Sequence, residues 1–314
     1  MKNLNLKMNR ILITGSSGTI GTRLFEVLLN KGYEVFGIDK KENIWRKELN
    51  DRTIIGNLLD RRVFIKLPKQ LDMVIHLAAN TRVYEVTLKP DLAKENFEMT
   101  LNILEFCRKN NIKKFIFASS REIYGNNVAR FPVNEEEFKI KNAESPYSAS
   151  KIGGEALVYA YNKCFDIEFV IIRFSNVYGM YDDSDRVIPL FIKNTIEGKP
   201  LVIYGENKML DFTYIDDAVK GIVKVIENFE HVKGEVFNIA TGIGTYLVDI
   251  AKKIRKLLNG DNDIILEKPR KGEVVRYIGD ISKAKEKLGY NPEVYIDEGL
   301  EKTIRWYLNN LYRR

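Results

Sequence analysis

Short apolar runs alternate with amphipathic stretches over the first half of the chain. Residues 10–13, 34–38 and 72–79 are runs of strand length with almost no polar interruption. That pattern belongs to strands covered on both faces. Residues 22–30, 92–109 and 147–164 place apolar residues at helical spacing. Strand and helix in alternation predict an α/β fold, a Rossmann-type doubly wound parallel sheet. Beyond Asn176 the alternation loosens. A polar, acidic loop at 179–186 precedes a helix at 187–197, a strand at 200–204 and a helix at 216–228. A strand at 236–240 is expected to return to the main sheet, before terminal helices at 246–258 and 297–311. The expected division is therefore a cofactor domain over 1–176, rejoined by 212–240. A smaller interleaved α/β substrate domain is expected over 177–211 and 241–314, with the cleft where the two meet.

The first strand runs into Thr14-Gly15-Ser16-Ser17-Gly18-Thr19-Ile20-Gly21. The glycines fit a tight turn, a close approach to a pyrophosphate and close helix–strand packing, in that order. The helix that follows offers free N–H groups and its positive end to phosphates. The loop residues Gly15, Ser17, Gly18, Thr19, Ile20 and Gly21 are accordingly candidate cofactor ligands. Asp39 closes the second strand, where an acid binds ribose hydroxyls and repels a 2′-phosphate, favouring NAD over NADP. Strand, glycines, helix, strand and acid in this order are far more specific than the glycines alone. The third run ends in Leu77, Ala78 and Ala79, small or apolar residues suited to a backbone lying against a cofactor. His76 precedes them among apolar neighbours and reads as structural.

Tyr147 and Lys151 stand four residues apart at the start of a helix, on one face. A nearby ammonium favours the phenolate, so the pair is expected to act as an acid/base on a hydroxyl, with the Tyr147 pKa lowered.

Taken with segments further along, the chain resembles the extended short-chain dehydrogenase/reductases, in their nucleotide-sugar epimerase/dehydratase branch. The likeness is carried by the glycine loop and by the helix from Asn96 to Glu105. It continues through Phe115–Gly125, which holds Ser119-Ser120-Arg121-Glu122, and Arg173-Phe174-Ser175-Asn176-Val177-Tyr178-Gly179. Leu210-Asp211-Phe212-Thr213-Tyr214-Ile215-Asp216-Asp217 and Arg270-Lys271-Gly272-Glu273-Val274 complete it. The resemblance implies NAD as cofactor and a nucleotide-diphosphate sugar as substrate. It implies that Tyr147 takes a sugar hydroxyl proton, Lys151 holds the nicotinamide ribose and Ser120 hydrogen-bonds the reacting oxygen. Asn96 would touch the cofactor, Asn176 the substrate and Arg270 its diphosphate.

Two departures from the family pattern stand out. Leu210 replaces a diphosphate-binding Arg, leaving Lys208 and Arg186 as candidate replacements or as solvated surface. Arg121 replaces the acid that 4,6-dehydratases carry, whereas Glu122 keeps their glutamate. Glu122 is then either a second base or the ion-pair partner of Arg121. A C4 epimerase needs no second base, and C4 epimerisation of a UDP-glucose/galactose or UDP-glucuronate type sugar is the reaction expected first. A 4,6-dehydratase or decarboxylase using Glu122 is the alternative. A non-catalytic NAD-binding regulator is a reading of another class, and the intact Ser120/Tyr147/Lys151 set weighs against it.

The chain has 314 residues, and no stretch approaches the roughly 20 apolar residues of a membrane span. Residues 1–9 are polar, without a signal-peptide core, and read as a short frayed extension. Two cysteines, Cys107 and Cys164, fall in helical patterns and are expected to be buried free thiols of a cytoplasmic protein. With two histidines, a multi-His metal site is not expected, and no metal is assigned. The 50 basic and 43 acidic residues are interspersed, so no nucleic-acid partner is expected, while the +7 balance would draw an anionic sugar nucleotide. The helices at 92–109 and 147–164 are expected either to pack internally or to pair with a second copy in a homodimer.

Overall fold

The computed structural model describes residues 10–312; the expectation for residues 1–9 lies outside them. β1 (Arg10–Thr14) passes through the glycine loop into α1 (Thr19–Asn30), followed by β2 (Glu34–Asp39), β3 (Thr53–Ile55) and β4 (Met73–His76). α2 (Val83–Leu88) and α3 (Asp91–Lys109) lead to β5 (Lys114–Ser120), and α4 (Pro146–Phe165) leads to β6 (Glu168–Phe174) and β7 (Asn176–Tyr178). Next come α5 (Val187–Ile196), β8 (Leu201–Tyr204), β9 (Met209–Tyr214), α6 (Ile215–Glu227), α7 (Phe229–Val232) and β10 (Val236–Ile239). The chain ends with β11 (Gly244–Tyr246), α8 (Leu247–Leu257), β12 (Ile264–Glu267), α9 (Ser282–Leu288) and α10 (Ile296–Asn310).

Seven of the strands form one sheet in the order β10-β6-β5-β4-β1-β2-β3, every neighbouring pair parallel. This is the doubly wound arrangement, with its ligand crevice beyond the carboxyl ends where the winding reverses between β1 and β4. Alternate residues feed opposite faces. Ile11, Ile13, Ile75 and Ile116 enter one core, and Leu12, Val74, Phe115 and Phe117 the other. That explains why the strands read as unbroken apolar runs. β3 has only three residues, too few to show a pattern in the sequence. Beside the main sheet lie a small sheet of β11, β9 and β7 and the pair β12–β8. β10 joins the main sheet beside β6, as expected from its apolar run.

α3 and α4 pack against each other. Met99, Ile103 and Leu104 from the first and Val158 and Tyr161 from the second are buried, leaving Phe97, Tyr159 and Phe165 exposed. The cysteine expectation holds for Cys107 and fails for Cys164, which is exposed in the last turn of α4. Helical spacing alone does not say which side of α4 the residue takes. Among the described residues no helix is long and apolar enough to cross a membrane.

A buried ion pair ties β6 to α4. Arg173 Nε and Nη2 donate to the two oxygens of Glu155 at 3.0 and 2.8 Å, and Nη1 donates to the Glu135 carbonyl at 2.8 Å.

His76 is structural, as expected. Its Nδ1 lies 2.7 Å from the Thr14 hydroxyl and its Nε2 3.2 Å from that of Thr100. Burial, helped by the Lys151 charge, pushes its pKa down to about 3. An unfolded histidine titrates near 6.5, so between these values the unfolded chain binds more protons and stability falls as pH drops. The slope from this one group approaches about 1.4 kcal/mol per pH unit. Urea midpoints between pH 7 and pH 4 should therefore fall more steeply for the wild type than for His76→Gln. Parallel slopes would remove His76 as the cause.

Candidate active site

The carboxyl ends of the parallel strands open into a cavity of about 860 Å³. Every residue expected to bind cofactor or substrate lines it except Asn96. At one end Gly15 adopts a φ of +72°, and a Cβ there would come within 2.8 Å of the Ala78 nitrogen. Only glycine lets this turn lie against the end of β4. α1 begins at Gly18 with no side-chain cap, so its first-turn N–H groups stay free for an anion. The Ser17 hydroxyl is buried beside them without a partner. Asp39 accepts hydrogen bonds from the backbone N–H groups of Ser17 and Lys41, each at 3.0 Å, and is held on the cavity wall. Open amides, an orphaned hydroxyl and a fixed carboxylate fit the pyrophosphate and ribose of NAD.

Asn96 does not line the cavity. Its side chain is buried, accepting from the Asn80 N–H at 2.6 Å and donating to the Asn80 carbonyl at 3.0 Å and the Ser150 hydroxyl at 3.2 Å. Through these contacts it holds the Asn80 segment, which itself lines the cavity.

Tyr147 and Lys151 are aimed by the start of α4. Ser145 caps the helix, its hydroxyl accepting from the Ser148 N–H at 3.1 Å while Ser148 Oγ accepts from the Ser145 N–H at 3.0 Å. Pro146 occupies the first turn. This reciprocal capping with a proline fixes the entry of the helix. Gly154, one turn on, lets α4 approach β5, since a Cβ there would meet the Phe117 ring at 2.5 Å. Ser120 thereby comes to the same wall as Tyr147 and Lys151. Its hydroxyl accepts from the Glu122 N–H at 3.2 Å.

The expected lowering of the Tyr147 pKa does not appear. Burial pushes it up to about 12, with the Ser120 hydrogen bond pulling the other way. Lys151 instead donates to the Ala118 carbonyl at 2.7 Å, and burial brings its own pKa down to about 8. Desolvation outweighs charge here because both groups are removed from water.

Arg121 and Glu122 are both buried and pair through Arg121 Nη2 and Glu122 Oε1 at 2.7 Å. The same Nη2 donates to the Asn176 side chain at 3.1 Å. Burial raises the Glu122 pKa against the opposing Arg121 charge. Of the two readings open from the sequence, ion pairing describes its geometry.

At the far end of the cavity Arg270 lies between two rings, its guanidinium carbon 4.5 Å from the centroid of Tyr84 and 3.7 Å from that of Tyr204. Leu210 lines the same wall. Several other lining residues escaped the sequence reading. Asn57 and Leu58 follow the unread β3, and Tyr84 and Trp45 sit where no spacing rule applies. Beyond Asp39, Trp45 meets Trp306 of α10 edge-on at 5.0 Å, and Tyr181 closes the cluster 5.4 Å from Trp306.

Comparison with known proteins agrees with this geometry. Residues 11–240 match the model of the NAD dependent epimerase/dehydratase family. The chain is 31% identical to a UDP-glucuronate 4-epimerase of Thermodesulfobacterium geofontis, over 97% of this chain and 98% of the other. It is 30% identical to a dTDP-glucose 4,6-dehydratase of Haemophilus influenzae, over 96% and 99%. The crystal structure of UDP-glucuronic acid 4-epimerase from Bacillus cereus, in complex with UDP-glucuronic acid and NAD, superposes with a TM-score of 0.88 at 34% identity, covering 96% of this chain and 99% of that one. The chain belongs to the NAD-dependent epimerase/dehydratase family. It is an enzyme of that class with NAD as its cofactor.

Proposed function

We propose that the protein epimerises a nucleotide-diphosphate sugar at C4, of the UDP-glucose/galactose or UDP-glucuronate type, through a 4-keto sugar. NAD, when bound, takes a hydride from the sugar carbon and returns it to the opposite face. Tyr147 accepts the C4 hydroxyl proton and gives it back, and Ser120 hydrogen-bonds the same oxygen as it becomes a ketone. Lys151, anchored on Ala118, orients the cofactor ribose. Asn176 contacts the sugar, held in place by Arg121 and by its own donation to the Asp211 carbonyl at 2.9 Å.

The observation that carries this reading over dehydration is the state of Glu122. A dehydratase needs a free base beside a free acid, and here the glutamate is bound to an arginine that stands where the acid would be. The likeness to epimerases and dehydratases alike leaves that choice to the site. Incubating the purified protein and NAD with UDP-, GDP-, CDP- and dTDP-sugars, read by NMR, tests it. An epimer that keeps every atom of its substrate is the expected product. Loss of water or carbon dioxide would turn the assignment to Glu122-dependent chemistry, and an unchanged panel would favour a non-catalytic NAD-binding protein.

A further inference from the structure

We infer that Lys208 binds the substrate diphosphate in partnership with Arg270, taking over the work of the arginine that Leu210 displaces; this rests on the nucleotide-sugar reading above. Side chains two apart on a strand share a face. Along β9 the lining of the cavity alternates accordingly: Lys208, Leu210 and Phe212 face it, while Met209 and Asp211 do not. Lys208, immediately before the strand, thus presents its ammonium on the same wall as position 210. The lysine is well buried for its type, at 8% exposure, which a lysine rarely is unless it is paired.

Its one partner among the described ion pairs is Glu273, at 2.5 Å. Glu273 lies three residues past Arg270 and lines the same cavity. The Lys208 charge is also felt at Glu122, beside Ser120. Lys208 is thus tied through Glu273 to the segment that carries Arg270, on the cavity wall where a diphosphate joining a nucleoside to a sugar would lie. Arg270, fixed between Tyr84 and Tyr204, enters no salt bridge among those described. Along this wall Lys208 is balanced by Glu273 and Arg121 by Glu122, which leaves the Arg270 charge without a carboxylate partner among the described ion pairs. An anion of two phosphates supplies the balance and competes with Glu273 for Lys208. An ammonium does this as a point charge, without the fork that an arginine offers.

The other candidate is otherwise engaged. Arg186 donates to the Thr81 hydroxyl at 2.6 Å and pairs with Asp182 at 3.5 Å. These contacts hold it at the start of α5.

The test is calorimetric, on the NAD-loaded enzyme, with UDP, dTDP and uridine as probes. Lys208→Met keeps the apolar stem and removes the charge. It should weaken UDP binding roughly ten- to a hundredfold, the worth of one charged hydrogen bond, while uridine affinity and bound NAD stay unchanged. With the turned-over sugar nucleotide, KM should rise by a similar factor and kcat by little or nothing. Lys208→Arg should retain UDP affinity within a few-fold. If Lys208→Met does not fold, Lys208→Gln set against Lys208→Arg carries the same comparison. Unchanged UDP affinity on loss of the charge, or an equal loss for uridine, overturns the inference and leaves the epimerase reading standing. Wild-type protein that binds neither UDP nor dTDP overturns both.

Discussion

Tyr147→Phe lowers turnover by about 10²- to 10⁴-fold, the range for loss of a positioned acid/base, while bound NAD and fold are retained. The ring is buried and its packing is kept by phenylalanine; the lost atom is the hydroxyl that meets Ser120. In the protein alone the phenol is pushed up to about 12 by burial, so near neutral pH it is almost wholly protonated. Its ionised fraction then grows about tenfold per pH unit, and kcat/KM should climb with pH above neutrality. Lys151, brought down to about 8, loses its charge in the upper part of that range, and the climb should bend there. Rates of the wild type and Tyr147→Phe measured from pH 6 to pH 9 decide the matter. A variant that keeps the wild-type rate, or a residual rate that keeps its pH slope, places the base on another residue.

Arg173→Met is the largest expected loss of stability, about 3–5 kcal/mol, because it strands a buried carboxylate. Glu155 loses both of its arginine hydrogen bonds, and the Glu135 carbonyl loses a third. The cost should appear as a fall in the urea midpoint. Adding Glu155→Leu to the same chain should recover much of it, since an apolar pair of similar size leaves no charge uncompensated. A double variant as unstable as the single one would show that the arginine acts through its other contacts. The pair sits between β6 and α4, so weakening it should also loosen the helix that aims Tyr147.

The dinucleotide half was legible because each of its features is local. An apolar run, three glycines and a terminal acid lie within one βαβ unit, and the parallel sheet forces the strands to be apolar on both faces. The site read less evenly. Tyr147 and Lys151 are marked by residue type and spacing, Ser120 by its place in the segment that resembles the family's, and the structure brings the three to one wall. The sign of the Tyr147 shift was not legible, because burial is set by what α4 packs against and not by the four-residue spacing. For Asn96 the position along the helix is legible, but its hold on the Asn80 backbone, sixteen residues away, is not. Lys208 came into view only as one of two candidates, since the alternation of β9 against the cavity needs coordinates to be seen. Trp45 gave no signal at all, lying in a loop whose course depends on a helix from the other end of the chain.

That loop has a practical meaning. Trp45 and Trp306 are the chain's two tryptophans, and they touch each other where Trp45 walls the cavity past Asp39. Both tryptophans therefore report from one place, beside the wall of the nucleotide site. Tryptophan emission is therefore expected to shift when the nucleotide site fills, a signal readable without a label and before any substrate has been identified.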